Sequence, residues 1–175
     1  MNNSTLDLLK LIIDKQLNMP EGRVWAYNGT QDLPQDAGLF IILSYLTRSP
    51  YSNNIRYINT AGGMQEVQTS TFAENIMISC ISQNTDARDR VQEVLMALKS
   101  TYAQYIQEKY HLHLSTIDEI VDSSFLEATA RMNRFDVRCT VMRGYDKISD
   151  VDYYDKFPNT EKFEPDWHIE QEIKE

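Results

Sequence analysis

The sequence predicts an α+β fold: a largely antiparallel sheet with a long helix and an N-terminal helix packed on one face, continued by an extended C-terminal arm. Three observations predict it. Residues 134–143 alternate, with Phe135, Val137, Cys139 and Val141 on one side and Arg134, Asp136, Arg138 and Thr140 on the other. That is the pattern of an antiparallel strand with one wet face. Residues 86–109 place Val91, Val94, Leu95, Leu98, Tyr102, Tyr105 and Ile106 at steps of three and four, the period of a helix buried along one stripe. Two apolar runs, 38–47 and 73–83, have the length and bulk of core strands.

Taken in chain order, residues 4–17 carry Leu6, Leu9, Ile12, Ile13 and Leu17 near helical spacing. Ser4 is placed to cap this helix, Asp7 stands near its positive end, and Asn18 and Pro20 end it. Residues 23–27 read as a short strand, followed by a polar loop with Gly29 and Pro34. The run 38–47, rich in Phe, Ile, Leu and Tyr, suits a central strand covered on both faces. Pro50 and Asn53-Asn54 mark 49–54 as a turn cluster. Residues 55–60 alternate, Gly62-Gly63 turns the chain, and 65–69 pairs back as a polar, projecting hairpin arm. Residues 73–83 form a core strand with Ile76, Ile78 and Cys80 on one face and Met77 and Ile81 on the other. Thr85 or Asp86 caps the long helix, and 117–133 has no clear period beyond a short strand or helical turn near Ile117, Ile120 and Val121.

The character changes after Tyr145. Residues 146–175 carry ten acids, two prolines and separated aromatics, so the chain divides into a domain at 1–145 and an acidic, aromatic-bearing arm at 146–175. The arm either folds back on its own sheet or docks on a neighbouring subunit, its aromatics as anchors and its acids as a soluble rim.

Composition narrows the function classes. At 175 residues the chain has the length of one domain, and 42% hydrophobic residues supply a core. No apolar run is long enough to cross a bilayer, and Met1–Ser4 has no basic or apolar leader, so a soluble, cytosolic protein is expected. A net charge of −9 leaves too few bases for phosphate-driven nucleic-acid binding, while an acidic surface repels DNA beside it. Cys80 and Cys139, each inside a strand, read as buried small hydrophobes, with a cross-strand disulfide as the alternative.

Catalytic and metal patterns are weak. Gly62-Gly63 is followed by no Lys-Ser/Thr and opens no helix, so it is a turn and not a phosphate loop. His111 and His113 would share a strand face, but the third histidine, His168, lies in the arm and no Cys or acid stands at ligand spacing. Asp146, Asp150, Asp152 and Asp155 miss the calcium-loop pattern, because Tyr154 and Asp155 occupy its fifth and sixth places. No nucleophile elbow is present, and neither cysteine sits at a helix N-terminus. The expectation is a protein without catalytic, cofactor or metal residues.

Three stretches together resemble the neck or tail-terminator (tail completion) proteins of tailed bacteriophages. They are the leading helix with Arg23-Val24-Trp25-Ala26-Tyr27-Asn28 and the strand 39–46, the strand 76–82 running into Asp86-Ala87-Arg88-Asp89, and Arg134-Phe135-Asp136-Val137-Arg138. The resemblance covers most of 5–145 and implies a structural virion protein assembled in the host cytoplasm. It implies a protomer that forms a ring, usually a homohexamer, capping the tail tube and joining it to head-completion proteins, with a conduit that passes DNA without binding it specifically. No cofactor, metal or membrane is implied. Ring closure needs heterologous contacts, and the expected donors are Ile55, Arg56, Tyr57, Gln65 and Glu66 of the hairpin with Tyr153, Tyr154, Phe157, Phe163 and Trp167 of the arm. The alternatives are a head-completion or adaptor subunit of the neck, a small cytosolic enzyme with a hidden acid pair, and an acidic inhibitory binding protein.

Overall fold

A computed structural model describes residues 4–26, 36–60, 62–127 and 130–151, with backbone only for 125–127 and 130–131. The expected loop around Gly29 and Pro34, and the arm beyond Val151, lie outside the described residues.

The chain opens with helix α1 (Thr5–Leu17). Its N-terminus is a capping box: the Ser4 hydroxyl accepts from the Asp7 amide, and the Asp7 carboxylate accepts from the Ser4 amide at 3.0 Å. Asn18 ends the helix in the left-handed region, φ 48°. Leu8, Leu9, Ile12 and Ile13 are fully enclosed, each contributing roughly 1.5–3 kcal/mol relative to exposure.

Five strands form one ordered sheet: β1 (Val24–Ala26), β2 (Phe40–Thr60), β3 (Gly63–Ser82), β6 (Ala130–Asp150) and β4 (Leu112–Asp122), in that spatial order. A short β5 (Phe125–Glu127) turns back onto the start of β6. Among the described residues only β1 and β2 pair in parallel, and the other pairs are antiparallel. The α+β class with a mostly antiparallel sheet is therefore the observed one.

Two expectations change. The turn cluster at 49–54 does not turn: β2 runs unbroken for 21 residues beside β3, with 20. Pro50 is tolerated because β2 is an edge strand at this level, next to a register shift between Pro50 and Ser52. The two expected strands at 65–69 and 73–83 are likewise one. Gly62-Gly63 does make the reversal, and Gly63 takes φ 123°, a conformation suited to glycine.

The helical stretch 86–109 is two helices, α2 (Asp86–Leu98) and α3 (Thr101–Tyr110). Ser100 leaves helical geometry (φ −71°, ψ 159°), and its hydroxyl accepts from the Ala103 amide at 3.1 Å, starting a new helix where the apolar period alone suggested continuity. Thr85 stands at the N-cap of α2, one of the two expected positions, but its carbonyl and not its side chain serves the helix. Thr85 makes no side-chain cap bond; instead Ser82 Oγ accepts from the Ala87 amide and Asn84 Oδ1 from the Asp86 amide.

All three helices cover one sheet face. Ile41 and Leu43, Ile76, Ile78 and Cys80, and Val137, Cys139 and Val141 point into them and form one cluster with the helix stripes. The opposite face carries a small cluster of Phe40, Ile81 and Met132, then polar side chains including Asp136, which accepts from Ser79 Oγ at 2.6 Å and Arg134 Nε at 3.0 Å. The alternation expected for 134–143 holds, and the segment near Ile117 is strand.

Candidate assembly surface

Strands of about 20 residues exceed what the helix layer can cover, since mean strands run roughly 5–6 residues. Beyond the level of Glu74, the outer parts of β2, β3 and β6 leave the helices as a three-stranded projection. It extends about 35 Å, from the roughly 3.3 Å rise over residues 63–73. Its cross-strand rows are Ile55–Gln68–Lys147, Arg56–Val67–Ile148 and Tyr57–Glu66–Ser149. Successive rows face opposite ways, so Ile55 and Tyr57 lie on the helix side and Arg56 and Ile148 on the open side.

Side-chain hydrogen bonds hold this register. Asn53 Oδ1 accepts from Gln68 Nε2 at 3.2 Å and Ser70 Oγ at 2.9 Å, while Asp146 accepts from Thr69 Oγ1 at 2.7 Å and Asp150 from Gln65 Nε2 at 2.9 Å. The strand reading of 134–143 thus extends across Gly144 and Tyr145 to Asp150, into the first residues assigned to the arm. Val151 stays with the sheet, its amide donating to the Met64 carbonyl at 3.1 Å.

The projection exposes large apolar side chains on both faces: Ile55 is 48% exposed, Tyr57 58% and Ile148 61%. Among its described residues only Val67, flanked by Arg56 and Ile148, is buried. Its edges are open as well. β1 pairs only with Ile41–Leu43 of β2, and β4 ends its pairing at Arg143 of β6. Among the described residues, the outer sides of 46–60 and 144–150 carry no strand partner. Among the described residues this narrow sheet has no second layer, and exposed apolar residues beside free edges are features that favour pairing.

A buried polar knot anchors the root. Glu74, 0% exposed, takes Arg48 Nη2 at 2.8 Å and the Tyr145 hydroxyl at 2.9 Å on Oε1; its Oε2 has no hydrogen-bond partner among the described residues. Arg143 donates to Thr5 Oγ1 of α1 at 3.4 Å, and its guanidinium lies 5.3 Å from the Tyr145 ring centre. Phe72 meets the same ring edge-on at 5.7 Å. All three strands of the projection are thereby tied to one another and to α1. Burial, with the Glu74 carboxyl group alongside, raises the Tyr145 pKa. On the projection itself, hydrogen bonding to Glu66 raises that of Tyr57.

Of the expected contact residues, Ile55, Arg56, Tyr57, Gln65 and Glu66 come together across one turn of this ribbon, split between its two faces. Tyr153, Tyr154, Phe157, Phe163 and Trp167 lie outside the described residues. Sequence reasoning missed Ile148, whose apolar side chain between Lys147 and Ser149 was absorbed into an acidic arm.

The chemistry elsewhere is sparse. Cys80 and Cys139 are free; their ladder partners, Phe135 and Ile76, stand four positions apart on each strand, too far for a disulfide. Burial, with a smaller push from Asp136 or Asp118, lifts both thiols to about 12. His111 ends α3 in the left-handed region and His113 sits on β4. Among the described residues no three His, Cys, Asp or Glu side chains are grouped to hold a metal, and no helix is long and apolar enough to cross a membrane. A hollow of about 390 Å³ between α3 and β4 is lined by Gln104, Gln107, Leu114 and Thr116, with Lys99 as its one ionisable side chain.

No curated protein matches the chain. A family model described as phage neck terminator protein matches residues 6–166.

Proposed function

The chain belongs to the phage neck terminator family, and from that premise we propose that its copies close into a ring, a hexamer, that caps the tail tube and joins it to the head-completion proteins. As a member it is a structural protein of the phage neck, located in the virion, whose partners are other tail and head proteins.

One observation carries the ring reading: a three-stranded projection with exposed apolar residues on both faces and, among the described residues, two free edges. Such a ribbon buries too little in the isolated chain to explain why its sequence keeps Ile55, Tyr57, Ile58 and Ile148 exposed. Against a second copy, the same residues become the centre of a heterologous contact, and repetition of that contact around an axis closes a ring. The domain at 1–145 supplies the body. The arm at 146–175, entered along β6, supplies a second contact through Tyr153, Tyr154, Phe157, Phe163 and Trp167.

The net charge of −9 suits a conduit that DNA crosses without adhering. Electron microscopy of the full chain mixed with tail tubes tests the reading. A ring at one tube end is the expected image, and rings bound along the sides, or tubes that keep growing, contradict it. Charge reversal of the acids lining the ring's channel should slow DNA passage, and unchanged ejection would remove the lumen role.

A further inference from the structure

On the outer surface of the helix layer, Lys15 of α1 lies 4.1 Å above the ring of Tyr102, which stacks on Tyr105 with centres 6.3 Å apart. Lys109 then lies 5.7 Å from the Tyr105 ring and 5.4 Å from that of Tyr110. The five side chains make one continuous ladder across α1 and α3. Tyr105 is 52% exposed, and both lysines are exposed. Among the described residues neither ammonium group is in an ion pair, whereas Lys10, one turn away, is tied to Asp14 at 2.7 Å. The ladder thus offers two uncompensated cations held over three aromatic rings.

We infer that this ladder is the docking surface for the C-terminal segment 152–175 of a neighbouring copy. Charge favours it: the segment carries eight acids against three lysines, so each carboxylate near Lys15 or Lys109 finds an opposite charge. Ring chemistry favours it too, because Tyr153, Tyr154, Phe157, Phe163 and Trp167 can extend the Tyr102–Tyr105 stack. The origin of the segment favours a neighbour's ladder over its own. The segment follows Val151, which sits at the free end of the projection beside Met64, whereas α3 ends against the projection's root, where Leu112 pairs with Arg143. Strand β6 therefore delivers the segment away from its own helix layer. The contact deepens the ring reading and rests on it for the identity of the neighbour.

The test uses full-length protein, half of it isotopically heavy, assembled together and treated with a zero-length amine–carboxyl crosslinker. Light–heavy crosslinks from Lys15 or Lys109 to acids of 152–175 are expected. They should disappear in the doubly charge-reversed Lys15→Glu, Lys109→Glu protein, and Tyr105→Ser should weaken them. All three positions are exposed or half-exposed, so a melting curve matching the parent shows that the fold is kept. Crosslinks only within light or within heavy chains, or none to these lysines, overturn the inference. If rings still form in that case, the ring reading survives it; absence of rings by microscopy is the separate failure of that reading.

Discussion

At the scale of single residues, the root of the projection is where small changes register most. Arg48 holds a carboxyl group that is wholly enclosed, and Arg48→Ala leaves that group with Tyr145 as its one described side-chain donor. The expected loss is about 1–3 kcal/mol, read as a lower urea midpoint at unchanged slope. Tyr145 adds a pH signature. The folded chain keeps its proton to higher pH than the unfolded chain, whose ordinary value is 10.0. The unfolded state therefore sheds that proton first, and stability is full below pH 10 and falls as pH rises through the folded value. Tyr145→Phe should flatten this alkaline decline. Cys80 and Cys139, both lifted to about 12 by burial, should resist a thiol reagent at pH 8 in the native protein and react fully in denaturant. Prompt native labelling would show that the sheet opens under the helices.

At the scale of elements, local signals and long-range pairing competed, and each won where its physics was stronger. Ser100→Ala should cost roughly 0.5–2 kcal/mol, because it frees the Ala103 amide at the start of α3. Thermal melts check it, and an unchanged midpoint would mean that the break between α2 and α3 is held by packing alone. The break was hard to read in the sequence because Leu98, Tyr102, Tyr105 and Ile106 keep their step of three and four across it. By contrast, α1 was legible to its caps, since Ser4, Asp7 and Asn18 each act within a few residues of themselves. The 21-residue β2 was not. Pro50 and Asn53-Asn54 favour turns locally, and only the partner strand, whose Ser70 and Gln68 bond Asn53, makes extension the better state. The hairpin reversal at Gly62-Gly63 and the exposure of Ile55 and Tyr57 were visible in advance, because glycine pairs and alternation are local. The knot around Glu74 was invisible, being assembled from α1 and three strands up to 138 residues apart.

For the whole molecule, the body and the projection answer to different demands. The body is closed by one apolar cluster shared by three helices and the sheet, so its stability is internal to the chain. The projection has exposed apolar residues on both faces, and in the proposed ring other copies bury them. Substitutions there should separate folding from assembly. Tyr57→Asp and Ile148→Asp replace side chains 58% and 61% exposed, so the unfolding free energy should stay within about 0.5 kcal/mol of the parent. The same changes place a charge in the middle of the proposed contact, where desolvation of an unpaired carboxylate costs several-fold more than at a rim. The doubly substituted chain should therefore stay folded, as circular dichroism reads it, and fail to form rings on tail tubes. Ile78→Ala, beneath the helices, should do the reverse and lower the stability by roughly 2–5 kcal/mol while any folded copies still assemble. If the Tyr57 and Ile148 substitutions unfold the chain, the projection belongs to its own core. If they leave rings intact, copies meet through some other surface.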